Sequence, residues 1–356
     1  NALSGISSLR ISHFEDAKRI ADSLYKYSWD GTSFRRRAYS GKWNHSPDII
    51  HTIDQPNYYL ESSEHRCVQH GMALIFWSEL ALQNEVDGVY QEQQRVVARQ
   101  FVDEYWDQAL NRWITISAFQ GGGTVFRPSA SANKQTQGVT LDDGKEQTYY
   151  RAVDQAIGVL ACLGHVKVLE QQVPQNQTEI EHFTSIIQST CAELLTSFGY
   201  GNEEHVKTYI GLNRNRNFWH DGWVLLSLSA ARYCVFPDLE DHGETELRKL
   251  LERIVKRYCH LDSNRTFDGT VWHWPQSFKG DADNLRYCGD NVLLYAITRS
   301  LDWAPAIGLG KYQTGFWEFI ELLTSRQDDG LASVADVYKQ VRLHPNTELA
   351  ALLVWP

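Results

Sequence analysis

The sequence predicts an all-α fold of the (α/α)6 toroid type, in which inner and outer helices alternate around a central cavity. Four apolar helices begin with polar residues, at His70, Asp154, His220 and Asp290, so the chain returns to one kind of helix every 66 to 84 residues. A recurrence of this length is typical of a structural repeat. Helices that are apolar on nearly all sides belong in a core, and charged amphipathic helices lie between them in the sequence. We therefore expect the polar first turns of the inner helices to meet at one end of the cavity.

Helical periodicity defines the expected elements in order along the chain. The inner helices are expected at residues 68–83, 153–165, 219–233 and 290–300, and the outer helices begin near residues 89, 178, 244 and 311. Five helical hairpins are clear, and the sixth is short or missing. The complete set of expected helices is 13–28, 64–83, 89–110, 148–169, 178–198, 217–235, 244–260, 284–301, 311–326 and 345–354.

Short β-like segments rich in aromatic residues separate each outer helix from the next inner helix, and they predict hairpins on one rim. These segments lie near residues 113–117, 200–210 and 270–274. Residues 119–147 have no apolar period, so we expect a long loop or lid there. The run Gly121-Gly122-Gly123 within it is not followed by Lys and Ser or Thr, and it does not predict a phosphate-binding loop.

The composition favours one soluble domain over residues 1–356, because no linker-like stretch divides the chain. The 44 acidic and 34 basic residues give a net charge of -10, which argues against a nucleic-acid partner. No uninterrupted apolar run reaches about 18 residues, so no membrane span is predicted. Six scattered cysteines without a CxxC pair predict buried free thiols. No cofactor is expected, a cytoplasmic or organellar location is favoured over secretion, and the oligomeric state stays open.

Three of the helix starts are similar to motifs of a known family. The run Cys67-Val68-Gln69-His70 is similar to a Trp-x-Gln start, Tyr149-Tyr150-Arg151-Ala152-Val153 occupies the place of the second start, and Asn217-Phe218-Trp219-His220 is similar to an Asn-x-x-His start. With these motifs and its helix order, the chain resembles the N-acylglucosamine 2-epimerase superfamily. That family contains sugar epimerases and aldose–ketose isomerases built as (α/α)6 barrels. The resemblance implies this fold and a sugar-binding or catalytic role for His220.

The chain departs from the family pattern at two helix starts. Cys288-Gly289-Asp290 stands where the family has Pro-Gly-His, and Gly71 stands where an arginine follows Gln69. The family's C-terminal histidine corresponds to His344. Because one fold hosts many reactions, the resemblance carries the fold over better than the chemistry.

The histidines are candidates for proton transfer next to a sugar carbonyl, because an imidazole titrates near neutral pH. We predict His220 as the principal acid or base, with His70 or His344 as its partner. A metal site formed by His70, His220 and Asp290 is not predicted, because the sequence has no HxH or HExxH pair to support it.

Carboxylates at the same helix starts offer a second chemistry. Glycoside hydrolysis requires one protonated and one ionised carboxyl group, and Asp154, Asp221 and Asp290 are available. An aspartate in the first turn of a helix is also favoured by the helix dipole, whatever the function of the protein. The sequence therefore leaves structural and catalytic roles open for each aspartate.

Aromatic side chains near the helix starts are candidates for packing against the apolar faces of sugar rings. An arginine beside them would suit an anionic sugar or a phosphate group. The predicted substrate-binding residues are Trp219, Trp272, Trp274, His273, Tyr150, Tyr287 and Arg36.

The leading interpretation is a sugar epimerase or isomerase that uses histidine acid/base catalysis on a small-molecule or oligosaccharide substrate. The first alternative is a glycoside hydrolase or lyase that uses Asp154, Asp221 and Asp290. The second alternative is a catalytically degenerate toroid that binds a saccharide or a protein, which the replacements at Gly71 and Asp290 favour.

Overall fold

The chain forms two compact units in the computed structural model, Asn1–Glu193 with Tyr209–Asn213, and Leu194–Thr208 with Arg214–Pro356. The assignment of residues 1–356 to one domain stays a prediction. The structure describes residues 2–10, 12–29, 31–34, 64–83, 88–119, 138–140, 146–148, 150–172, 174–201, 207, 209–210, 218–235, 249, 266–267, 272–273, 327–328 and 331–332.

The described helices follow the predicted order closely. They are α1 (Ala2–Arg10), α2 (Phe14–Tyr27), α3 (Cys67–Ala81), α4 (Gly88–Tyr105), α5 (Ala152–Glu170), α6 (Gln177–Leu195), α7 (Phe218–Ala230) and α8 (Arg232–Val235). Helix α1 was not expected from the sequence. The helices predicted at 244–260, 284–301, 311–326 and 345–354 lie outside the described residues, apart from Lys249.

Inner and outer helices differ in burial as the sequence predicts. Helix α3 packs against α5 and against α4, and most side chains of α3 and α5 are buried. Helix α4 buries one face only and exposes charged residues on the other. Among the described helices, α5 is long and apolar enough to span a membrane, but 83% of its most apolar window is buried within the protein. That burial is typical of a core helix.

Two glycines let the inner layer pack closely. A Cβ atom on Gly71 would lie 2.4 Å from Ile157 Cγ2, and one on Gly158 would lie 2.4 Å from the Trp113 ring. Both distances are well inside van der Waals contact, so no side chain fits at either position. The glycine that replaces the expected arginine at residue 71 therefore serves the contact between α3 and α5.

The described strands form two-stranded antiparallel ladders. These are β1 (Glu64–Arg66) with β4 (Ile116–Phe119), β2 (Trp106–Asp107) with β3 (Arg112–Trp113), β5 (Gly138–Thr140) with β6 (Glu146–Thr148), β7 (Tyr150–Arg151) with β8 (Tyr209–Ile210), β9 (Thr266–Phe267) with β10 (Trp272–His273), and β11 (Gln327–Asp328) with β12 (Leu331–Ala332). Strand β1 leads directly into α3, and β7 leads directly into α5. The rim strands thus fix where two inner helices begin.

The long loop predicted at residues 119–147 contains a hairpin. Strands β5 and β6 pair from Gly138 with Thr148 to Thr140 with Glu146. The Asp143-Gly144 pair between them is a strong hairpin signal. The absence of a helical period does not reveal this hairpin, because strands of three residues are too short to give a periodicity of their own.

Candidate active site at the starts of the inner helices

The strand-to-helix junctions give the inner helices a common register. Arg66 and Arg151 end β1 and β7 in extended conformation, with φ of -130° and -110°, and each is the N-cap of its helix. The third helical residue is then Gln69 in α3 and Asp154 in α5, and the fourth is His70 in α3. By the same count, α7 carries polar residues at both positions, His220 and then Asp221. His70 is thus one residue out of step with Asp154 and His220, about 100° around the helix.

Asp154 is fully buried and is held by three charge-assisted hydrogen bonds. Arg151 donates to it in a bidentate arrangement, from Nε to Oδ2 and from Nη2 to Oδ1, both at 2.7 Å. The Thr115 hydroxyl donates to Oδ2 at 2.7 Å. Donors therefore fix the orientation of both carboxyl oxygens. The Arg151 side chain is 15% exposed, so the edge of this cluster reaches the surface.

The starts of α3 and α5 are brought together at this cluster. Thr115 accepts a hydrogen bond from the Cys67 backbone N–H at 3.1 Å while its side chain binds Asp154. The Cys67 thiol lies 3.8 Å from the Asp154 backbone carbonyl. Burial, followed by the nearby Asp154 carboxylate, raises the pKa of the Cys67 thiol well above its usual value. Cys67 is therefore a neutral packing group, and Cys162 and Cys191 are also buried free thiols.

His70 is completely buried, with both ring nitrogens hydrogen-bonded. Nε2 lies 3.0 Å from the Val97 carbonyl, which only accepts, so Nε2 carries a proton. Nδ1 then accepts from the Ser33 hydroxyl at 3.0 Å, and Ser33 in turn accepts from the Tyr105 hydroxyl at 2.5 Å. Rings of Trp29, Phe34, Phe101 and Tyr105 surround the imidazole. This arrangement suits a structural histidine that ties α3 to α4, and its catalytic role stays a prediction.

Gln155, the fourth residue of α5, has a structural role similar to that of His70. The Gln155 amide accepts from the Trp113 N–H and donates to the Trp113 carbonyl, both at 2.8 Å. The Gln155 side chain thereby pairs with the backbone of β3 as a neighbouring strand would. The Trp113 indole continues the contact by donating to Thr190 Oγ1 of α6 at 3.0 Å.

In the second unit, Asp221 and His220 are buried in the first turn of α7. The Tyr200 hydroxyl donates to Asp221 Oδ1 at 2.7 Å. Tyr200 is placed by the turn that ends α6, where Gly199 has a φ of +76° and the Tyr200 N–H binds the Leu194 carbonyl. Glycine is favoured at positive φ because it has no Cβ atom, which explains why residue 199 is a glycine. His220 is 2% exposed, and Trp223 follows it by three residues on the same side of α7.

A second buried polar cluster lies at the opposite end of α5, and it is not among the sites predicted from the sequence. His165 has no exposed surface, and its Nδ1 lies 2.9 Å from Gln94 Nε2 of α4. Its Nε2 faces Glu179 Oε1 of α6 at 3.5 Å. Burial lowers the pKa of His165 to about 4, although Glu179 opposes that shift. A lone histidine inside an apolar helix was the signal that a polar partner must exist on a neighbouring helix.

Of the predicted substrate-binding residues, Tyr150 is the one whose side chain the structure describes. It is mostly buried beside Arg112, whose guanidinium carbon lies 5.4 Å from the ring centroid. Burial raises the pKa of Tyr150, so its hydroxyl is a neutral donor. The structure describes only the backbone of Trp219, Trp272 and His273. The remaining substrate-binding predictions lie outside the described residues, as do the predictions for Asp290 and His344. Within the described part of the chain, no group of three His, Cys, Asp or Glu side chains is placed to hold a metal ion.

A solved structure shares this helical arrangement. The chain is similar to an α-mannanase of family GH76 from Bacteroides thetaiotaomicron, with a TM-score of 0.57 and 11% identity over 99% of this chain and 82% of that one. The chain is an α/α toroid. The predicted fold class is thereby confirmed, with short β-hairpins accompanying the helices.

A second solved structure is similar at a lower level. It is an inactive variant of the α-1,6-mannanase GH76A of Salegentibacter sp. HEL1_6 in complex with α-1,6-mannotetrose, with a TM-score of 0.49 and 12% identity over 96% of this chain and 97% of that one. No protein-family model matches the chain. No curated protein matches it either.

Proposed function

We propose that the chain is a carbohydrate-active enzyme, and that it is a glycoside hydrolase acting on an oligosaccharide. The observation that carries the proposal is the Asp154 carboxylate, which Arg151 and Thr115 orient at the start of an inner helix. The fold is shared with an α-mannanase, which makes α-linked mannose oligosaccharides the first substrates to test. The proposal favours the carboxylate alternative over the epimerase interpretation.

In this proposal Asp154 is one member of the carboxyl pair. Because Arg151 and Thr115 orient both of its oxygens, we assign it the role of a general base, a nucleophile or a group that stabilises a developing oxocarbenium ion. Hydrolysis also requires a general acid, which must keep its proton near neutral pH. The proton for the leaving group therefore has to come from a different carboxyl group.

Two other aspartates are predicted from the sequence as candidates for the carboxyl pair. Asp221 accepts a hydrogen bond from the Tyr200 hydroxyl, which gives it a structural partner. Asp290 lies outside the described residues, where the sequence predicts the start of an inner helix. We propose that Asp221 anchors α7, and Asp290 stays a predicted member of the carboxyl pair.

Epimerisation is the second candidate, and one observation favours it. His220 occupies the same third helical position in α7 that Asp154 occupies in α5, and it is nearly fully buried. The resemblance to the N-acylglucosamine 2-epimerase superfamily supports this candidate, whereas the hydrogen bonds that hold His70 count against the predicted His220–His70 pair. If His220 is an acid or base, His220→Gln should lower turnover by about 10²–10⁴-fold without a matching loss of stability.

Incubation with sugar panels in deuterated water distinguishes the two reactions. A hydrolase releases new reducing ends and leaves carbon-bound hydrogen in place, whereas an epimerase or isomerase exchanges a C–H proton with solvent. We expect α-linked mannose oligosaccharides to yield new reducing ends without deuterium at C1 or C2. Exchange without cleavage would indicate an epimerase or isomerase with His220 as the acid or base. If a broad panel shows neither exchange nor cleavage, the degenerate toroid that only binds is favoured.

A further inference from the structure

The third and fourth residues of the described inner helices α3, α5 and α7 are all polar. The fourth residues His70, Gln155 and Asp221 each bind an element outside their own helix, through Val97, Trp113 and Tyr200. These bonds attach the inner helices to their surroundings. The third residues are Gln69, Asp154 and His220, and all three are polar although they stand in otherwise apolar helices. Asp154 is itself bonded to Arg151 and Thr115, so it is the individual side chains that show which of these residues lacks a partner.

Gln69 has a buried polar atom without a hydrogen bond. Its side-chain carbonyl oxygen, Oε1, is buried and accepts no hydrogen bond from any residue that the structure describes. Leaving a buried carbonyl without a donor reduces stability, and proteins rarely keep such a group without a use for it. Gln69 lies two residues after Cys67, whose backbone and thiol contact Thr115 and Asp154. The unsatisfied acceptor therefore lies in the same helical turn as Cys67, which contacts the cluster that orients the proposed catalytic carboxylate.

We propose that Gln69 is a substrate-binding residue, and that its side-chain carbonyl accepts a hydrogen bond from a hydroxyl group of the bound sugar. The inference rests on the proposed function for the identity of the ligand. Its chemistry follows from the atom left without a bond, because a carbonyl oxygen requires a donor and a sugar hydroxyl supplies one. The first inner helix then contributes Gln69 to the site, and not the neighbouring His70.

A matched pair of substitutions tests the position without any ligand. Gln69→Met and Gln155→Met remove the same amide from neighbouring positions of equivalent helices. Gln69→Met should keep the melting temperature within about 2 °C or raise it, because it removes an unsatisfied polar atom. Gln155→Met should lower the melting temperature by several degrees more, because it leaves the N–H and the carbonyl of buried Trp113 without partners. Equal losses for the two variants would overturn the inference, since Gln69 would then be a structural residue like Gln155.

The binding arm uses α-linked mannose oligosaccharides and isothermal titration calorimetry. Loss of one neutral hydrogen bond should weaken binding to Gln69→Met by about 3- to 10-fold relative to the wild type. Unchanged affinity in a folded Gln69→Met would also overturn the inference. If the wild type neither binds nor cleaves any saccharide, the proposed function fails, and the comparison of melting temperatures still decides whether Gln69 is a structural residue.

Discussion

The buried His165 should make the stability of the first unit depend on pH. Its ring is enclosed by α4 and α6, with Gln94 at Nδ1 and Glu179 at Nε2, and Arg95 and Arg99 are the nearby positive charges. Burial is the largest cause that lowers its pKa, from the ordinary 6.5 to about 4. The folded protein therefore holds this histidine neutral at pH values where an unfolded chain has already protonated it.

The sign and the size of the effect follow from proton linkage. Between about pH 6.5 and pH 4 the unfolded chain binds more protons than the folded one, so stability falls as the pH is lowered. Each unit of pKa difference corresponds to about 1.4 kcal/mol, so the full loss is about 3 kcal/mol at the lower end of this range. The pKa of Glu179 is lowered as well, mainly by its bond with Arg99 against the effect of its own burial. The contribution of Glu179 is lost as the pH falls from about 4.5 through its lowered pKa.

The assay compares the wild type with His165→Asn by urea denaturation at several pH values. Asparagine places an amide near the position of Nδ1, so it keeps a partner for Gln94 while it removes the titrating group. The stability difference between the two proteins should be largest near neutral pH and should shrink by about 3 kcal/mol as the pH approaches 4. Parallel pH curves for the two proteins would refute the reasoning, because they would show that His165 titrates equally in the folded and unfolded chains.

Two further predictions concern packing and the anchoring of α7. Gly71→Ala should destabilise the protein by roughly 1–3 kcal/mol, because its Cβ would meet Ile157 at 2.4 Å. Gly88→Ala, at a position with open space, is the control and should be neutral or stabilising, so equal thermal shifts would contradict the packing argument. Tyr200→Phe should cost roughly 1–3 kcal/mol, because it removes a donor from the buried Asp221 carboxylate. An unchanged denaturation midpoint would show that this hydrogen bond does not anchor α7.

The sequence predicts the inner helices well because burial on all sides leaves a direct signal in it. Helices α3, α5 and α7 are recognisable as apolar runs that open with polar residues. Helix α1 was missed because serines and a glycine give it weak helical propensity. Its place depends instead on a contact that is distant in sequence, since a Cβ on Gly5 would clash with the Phe76 ring of α3. Hydrophobic periodicity carries no information on such contacts.

The candidate site was predicted only in part, for a related reason. Sequence periodicity locates the polar helix starts, but it does not fix a helix start to within one residue. The end of β1 at Arg66 sets that register, and it makes Gln69 the equivalent of Asp154 in place of His70. The bond from Thr115 to Asp154 joins residues 39 positions apart, and no local pattern in the sequence indicates it.

The most direct test of the central claim is the fate of water oxygen during the reaction. The protein should be incubated with α-linked mannose oligosaccharides in ¹⁸O-labelled water, and the products should be analysed by mass spectrometry with an inactivated sample as the control. Glycoside hydrolysis predicts one ¹⁸O atom at each new reducing end, above the slow exchange seen in that control. Cleavage to an unsaturated product without ¹⁸O would indicate a lyase, and an uncleaved sugar that gains deuterium in a parallel incubation in deuterated water would indicate an epimerase. Either result would contradict the assignment of this chain as a glycoside hydrolase.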